Sequence, residues 1–234
     1  MRTNHTVEFA RRMHDKFSKF EQAEMEIWEA FEALGDYVDS ADPDVEFPNV
    51  EHGFQTAEGI RAAGYPEWMQ LVGLVHDVGK LQFLWGDRSL GMEGTKTGHQ
   101  WSLGGDTWVV GCEIPQCVVF PEFNKLNPDM KDKRYNTEHG ICTPPCNCAC
   151  INFSVLVAYL CCTHNIMLDD RKTTCCSVYS TVTDMPGCGI RNLTIAWGHD
   201  EYAYLVIKNH TDKQRAAGAK EKDLIPGARG ARGS

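Results

Sequence analysis

Leu74-Val75-His76-Asp77-Val78-Gly79-Lys80 is the stretch on which the reading of this chain turns. An apolar helical run carries an adjacent His-Asp pair to its end, and Gly79 stands where the helix should stop. His52 lies upstream in Glu51-His52-Gly53-Phe54-Gln55, and His199 lies far downstream in Trp197-Gly198-His199-Asp200. A lone histidine is more often a satisfied core residue than a ligand. Three imidazoles and a carboxylate distributed in this way point to a metal site instead. A donor set of this kind, free of thiolate, suits iron, manganese or zinc and leaves positions open to exogenous ligands.

Around this stretch the apolar periodicity is helical. Val7, Ala10, Met13 and Phe17 recur at helical spacing, as do Ile27, Phe31, Leu34 and Val38, so two amphipathic helices open the chain, the second ending near Asp39. Ser40-Ala41-Asp42-Pro43-Asp44 and Pro48-Asn49 read as a loop, because proline biases the preceding residue to extended geometry. A third helix is expected from His52 to Ile60, and a fourth from Pro66 with Met69, Val72, Val75 and Val78 on one side. Gly86 to Gly105 is a Gly-rich loop. Trp108–Gly111 and Cys117–Phe120 read as short strands, Pro128–Gly140 as a polar loop, and Leu193–Lys208 as a final helix. The fold class is therefore mainly α.

A net charge of -9 over 234 residues argues against nucleic acid or an anionic membrane surface as partner. The start of the chain is charged and lacks the apolar core of a secretory signal. Its longest apolar run, Ile151 to Cys162, is too short to cross a bilayer. The expectation is a cytoplasmic protein with one main domain.

Of eleven cysteines, only Cys112 and Cys117 lie outside Cys142–Cys188. A disulfide framework would spread them through the domain. The clustering marks one segment as foreign to the rest. The end of the chain, with Gly227-Ala228-Arg229-Gly230-Ala231-Arg232-Gly233-Ser234, has almost nothing to bury and reads as a disordered tail.

Five blocks together are specific enough to resemble a known family. Asp42-Pro43-Asp44-Val45-Glu46-Phe47-Pro48-Asn49 and His52-Gly53-Phe54-Gln55-Thr56-Ala57-Glu58-Gly59 come first. The His76-Asp77 stretch, Gly105-Asp106-Thr107 and Trp197-Gly198-His199-Asp200-Glu201-Tyr202 follow in order. This set is similar to myo-inositol oxygenase, a di-iron branch of the all-helical HD-domain superfamily. The His-Asp pair alone would fit many phosphohydrolases; the ordered set is much more specific. The likeness runs from about Asn4 to Cys142 and resumes around Pro186 to His210.

The resemblance implies an HD-domain-like helical bundle and four metal ligands, His52, His76, Asp77 and His199, with Asp77 bridging two irons. It implies substrate contacts from Asp39, Lys80, Gly105 and Asp106, with Lys80 also in a catalytic role. The implied reaction is ring cleavage of myo-inositol by O2 to D-glucuronate, a four-electron oxidation. A polyol offers only hydroxyls to recognise, so an acceptor carboxylate such as Asp39 and a cationic donor such as Lys80 suit it. The local alternatives are a helix-end turn role for Asp39 and a solvated post-helix charge for Lys80.

The chain departs from the family pattern in three ways. It starts just after the family's substrate-contacting arginine segment. Residues 146–185 interrupt a block that is continuous in relatives. Beyond Lys208 the bundle is incomplete, because the family's last histidine and aspartate ligands have no counterpart. His210 and His139 do not stand in a family-like context. The expected organisation is an oxygenase-like domain over 1–145 and 186–210, a disordered cysteine-rich insert over 146–185 and a disordered tail over 211–234. Insert and tail read as translated non-coding or frame-shifted sequence. The alternative for the insert is a zinc module using Cys142, Cys146, Cys148, Cys150, Cys161, Cys162 and His164, whose spacing is not that of a common zinc knuckle. One iron or none, instead of two, is the expectation for this chain, with slow turnover of myo-inositol. Competing functions are an HD-type metal-dependent phosphohydrolase and a non-catalytic remnant.

Overall fold

The computed structural model describes residues 1–39, 48–95, 97–104, 108–135 and 194–220. The acidic loop 40–47, Gly105, Asp106, the cysteine-rich segment 146–185 and the tail from 221 onward lie outside the described residues. The described residues are mainly helical, and among them β pairing is confined to one isolated antiparallel bridge, Val109 to Ile195. No described helix is long and apolar enough to cross a membrane.

The described residues fall into two compact units. The first draws on Met1–Lys19 and Gly105–Gly198. Its helix α1, Val7–Phe17, buries Val7, Phe9, Ala10, Met13 and Phe17. The spacing of that set is the apolar stripe read from the sequence. Thr6 caps the helix by accepting from the Phe9 N–H at 3.1 Å. Asp129, from a 3-10 turn over Pro128–Lys131, accepts from the Val7 N–H at 2.8 Å. Phe17 stacks on the buried Trp197 with ring centroids 5.7 Å apart. The Arg2 guanidinium lies 4.3 Å from the Trp108 ring centre and donates to Asn124 at 3.0 Å.

Because Asp129 closes an otherwise open backbone donor, Asp129→Ala is expected to lower stability by about 1 kcal/mol. Asp129→Asn, which keeps an acceptor, should lose less. Urea midpoints of the two variants decide this, and coincident midpoints for Asp129→Ala and the unaltered chain would show that Val7 finds another acceptor.

The second unit draws on Phe20–Gly104 and the chain from His199. It contains α2 (Ile27–Leu34), α3 (Asn49–Ala62), α4 (Glu67–Val75), a 3-10 helix over Val78–Leu84 and α5 (His199–Ala216). A reciprocal capping box of Glu26 and Glu29 starts α2. Pro48 and Pro66 precede α3 and α4, where a missing N–H costs nothing.

Several boundaries differ from the sequence reading. The second helix stops at Leu34 with Gly35 as its cap, not near Asp39, which leaves Tyr37–Asp39 as irregular connection. Cys117–Phe120 is turn and bend instead of strand, held between Pro115 and Pro121, with Phe120 at φ 54°. Trp108–Gly111 reduces to the single bridge at Val109. The last helix begins at His199 because Ile195 and Ala196 bond to the Trp108–Val110 segment, with Ala196 N–H donating to the Trp108 carbonyl at 2.7 Å. It runs on to Ala216, six residues past His210, with a Lys208–Asp212 ion pair on its exposed flank.

Candidate metal centre

The centre is built where α3 and α4 come close. Two glycines allow it: a Cβ on Gly53 would lie 2.9 Å from the Leu74 carbonyl oxygen, and one on Gly73 would lie 2.6 Å from the Ile60 side chain. With backbones this near, His52 on α3 and His76 at the end of α4 meet edge to face, ring centroids 5.1 Å apart. The 3-10 helix that follows Asp77 lies against α5 in the same manner. A Cβ on Gly79 would overlap the His199 carbonyl oxygen.

Asp77 is the hub. It is 3% exposed. Its Oδ1 lies 3.4 Å from His76 Nε2 and 3.3 Å from His199 Nε2, and its Oδ2 lies 3.8 Å from His52 Nε2. His52, His76 and Asp77 each offer a ligand atom, all within 4.8 Å of one another. The two buried-side imidazoles are oriented from behind. His76 Nδ1 donates to the Gly73 carbonyl at 2.7 Å, and His199 Nδ1 donates to the Leu103 carbonyl. Such backing fixes the ring and turns Nε2 toward the carboxylate.

Lys80, one turn beyond Asp77, is buried and bonds to Asp77 Oδ2 at 3.0 Å, Asp39 Oδ2 at 2.8 Å and Asn49 Oδ1 at 2.9 Å. Asp39 is held in place through its neighbours. Tyr37 hydroxyl donates to Gln100 Oε1 at 3.2 Å, and Gln100 Nε2 donates to the Val38 carbonyl at 2.9 Å.

The electrostatics follow from burial against charge. Burial opposes ionisation of Asp77, yet the His199 hydrogen bond and the Lys80 ammonium hold its carboxyl well below the usual range. Burial lowers His76, so at neutral pH its Nε2 carries a free lone pair. Burial also opposes charge on His199, but Asp200, 2.7 Å from Nε2, and Asp77 outweigh it and raise that group to about 10. A metal taking His199 must therefore displace a proton. For Lys80 too burial is overcome, by Asp77 and Asp39, and the ammonium is held protonated.

His52, His76, Asp77 and His199 are thus brought together in one unit, with Asp39 and Lys80 beside them; Gly105 and Asp106 lie outside the described residues. Asn49, Gln100 and Asp200 were not singled out from the sequence. Asp200 had a signal, since His199-Asp200 repeats the dipeptide His76-Asp77. Asn49 closes the Asp42–Asn49 block but had no signal of a role, and Gln100 had none, because nothing local distinguishes a helix-start asparagine or a loop glutamine that reaches across the chain.

A helical scaffold carrying imidazoles around a buried carboxylate, with the His-Asp pair at a helix end, defines an HD-type metal-centre protein. The profile of the family described as Myo-inositol oxygenase matches residues 1–159 and 161–219, a longer span than the motif blocks alone suggest. Inositol oxygenase of Rattus norvegicus is 36% identical over 211 residues, 89% of this chain and 55% of its own length. Inositol oxygenase of Homo sapiens is also 36% identical over 211 residues, with the same coverage. Inositol oxygenase 1 of Arabidopsis thaliana is 33% identical over 224 residues, 93% of this chain and 55% of its own length. The chain belongs to the myo-inositol oxygenase family, a family of oxidoreductases. It spans about half the length of the relatives it matches.

Proposed function

We propose that this chain is an inositol oxygenase-type enzyme that holds one iron through His52, His76, Asp77 and His199 and acts on myo-inositol and O2. The proposed reaction balances: myo-inositol and O2 give D-glucuronate and water. The observation that carries the reading is the Asp77 carboxylate with three imidazole Nε2 atoms at 3.3, 3.4 and 3.8 Å. Hard and borderline N/O donors of this kind fit iron, and four of them leave coordination positions for substrate and dioxygen. The metal, when bound, supplies the redox chemistry that lets O2 accept four electrons.

The protein's own groups supply binding and order. Asp39 accepts from a hydroxyl of the cyclic polyol, and Lys80 donates to one by exchanging its bond to Asp39, 2.8 Å in the free chain, for the substrate oxygen. Gly105 and Asp106 complete the set of substrate contacts in this proposal. Burial of Lys80 and Asp77 keeps bulk water away from the carboxylate, which strengthens each polar contact there. A phosphohydrolase reading is weaker, because the Lys80 ammonium is already paired with Asp39 and Asp77 and offers no surplus positive charge to a phosphoester.

Purified chain titrated anaerobically with ferrous iron should bind about one equivalent, removable by chelator, through a four-donor site. With iron, a thiol reductant and air, it should convert myo-inositol to glucuronate. Iron binding without glucuronate would remove the substrate assignment, and absence of specific iron binding would remove the whole reading.

A further inference from the structure

We infer that Asn49 is a positioning residue, its amide oxygen fixing the Lys80 ammonium between Asp39 and Asp77. The inference deepens the proposed metal centre and rests on that reading only for its consequence at the metal; the Asn49–Lys80 contact is measured separately.

An ammonium has three N–H donors and Lys80 has three acceptors, Asn49 Oδ1 at 2.9 Å, Asp39 Oδ2 at 2.8 Å and Asp77 Oδ2 at 3.0 Å. The set is saturated. Removing any acceptor frees the ammonium to rotate and to lean toward the remaining two. Because one of those is Asp77 Oδ2, the orientation of the carboxylate that faces three imidazoles is coupled to Asn49. The orientation of the amide itself is not in question. An NH2 group turned toward the ammonium would repel it, so oxygen must face Lys80.

A purely local role does not account for this side chain. Asn49 opens α3, but Pro48 is the capping residue and no side-chain cap bond is made there. Asn49 is 4% exposed, and its Nδ2 has no partner among the described residues, so the amide serves the fold poorly. Its backbone is tied to the same network, since Asn49 N–H donates to the Tyr37 carbonyl at 3.2 Å. A neutral acceptor also suits the charge. Two carboxylates already surround one ammonium, and a third would leave the buried cluster with an extra negative charge.

The test uses the full chain labelled with 15N-lysine. A slowly exchanging ammonium resonance should appear, assigned to Lys80 by its loss in Lys80→Met. Asn49→Leu, similar in size and without an acceptor, should abolish it or speed its exchange at least tenfold, and Asn49→Asp should keep it. Ferrous-iron affinity should fall about tenfold in Asn49→Leu, in the range for groups that orient metal ligands, and recover in Asn49→Asp. If Asn49 acts through Lys80, adding Asn49→Leu to Lys80→Met should weaken iron binding no further. Where Asn49→Leu does not fold, Asn49→Ala is read in the same way. A Lys80 resonance unchanged in the acceptor-less variant, or no protected resonance in the unaltered chain, overturns the inference. An Asn49-dependent resonance in a chain that takes up no iron would sink the proposed function and leave the positioning role standing.

Discussion

Asp77→Ala is expected to abolish specific binding of ferrous iron and to lower stability by about 3 kcal/mol. Among the described residues the carboxylate is the one group in contact with His52, His76, His199 and Lys80 together. Deleting one partner of a buried ion pair typically costs about 3–5 kcal/mol, because the other charge is left uncompensated. Here the lower end applies: Lys80 retains Asp39, and His199 retains Asp200. Asp77→Asn keeps the shape and one acceptor oxygen while removing the charge and turning the other acceptor into a donor. The pH dependence gives an independent check. With its folded pKa depressed, Asp77 contributes stability that is complete above the ordinary carboxylate value of about 4 and is lost as pH falls through the folded value. Asp77→Asn should remove that part of the acid dependence. Urea unfolding in chelator, from pH 7 down to pH 3, reads stability, and anaerobic titration reads iron. Stoichiometric iron retained by Asp77→Ala would mean that the imidazoles and Asp200 suffice without it.

The parts of this site that could be read in the sequence are those encoded by local pattern. His76-Asp77 and Gly79 lie close together in sequence, and periodicity placed Val7–Phe17 and the start of the fourth helix to within a residue, although that helix ends at Val75 and not at Gly79, with Val78 opening a 3-10 helix. The failures occur where tertiary contacts override local preference. Cys117–Phe120 has the β-branched and aromatic content of a strand, but with proline on both sides and a left-handed Phe120 it forms turn and bend. Val38 continued the helical period of the second helix, yet the chain leaves that helix at Gly35 because Gln100 holds the Val38 carbonyl and Asn49 holds that of Tyr37. That departure puts Asp39 beside Lys80. Contacts that span 62 residues from Gln100 to Val38 and 31 from Asn49 to Lys80 carry no local signature, so the roles of Gln100 and Asn49 could not be read from sequence.

Gly79→Ala tests how far the centre depends on close approach of backbone to backbone. The added Cβ would overlap the His199 carbonyl oxygen and lie 2.9 Å from the Ala203 nitrogen. Neither atom belongs to a side chain that can rotate away. Overpacking usually costs about 1–3 kcal/mol, and a clash wholly with backbone belongs at or above the top of that range. The expected loss is therefore about 3 kcal/mol. The strain is relieved only by separating the 3-10 helix from the first turn of α5, which draws His199 away from Asp77 Oδ1, now 3.3 Å from its Nε2. Iron affinity should fall at least tenfold as a ligand loses its place. Gly59→Ala on α3 is the matched control, since its Cβ would meet nothing within 4 Å. There the substitution should stabilise by about 0.4–1 kcal/mol, through a less flexible unfolded chain and better helix propensity, and leave iron binding untouched. Equal behaviour of the two alanine variants would contradict the account, and so would a destabilised Gly79→Ala that still binds iron with unaltered affinity. In that last case the approach of α5 would matter for the fold alone, and His199 would have to reach the carboxylate by a route independent of Gly79.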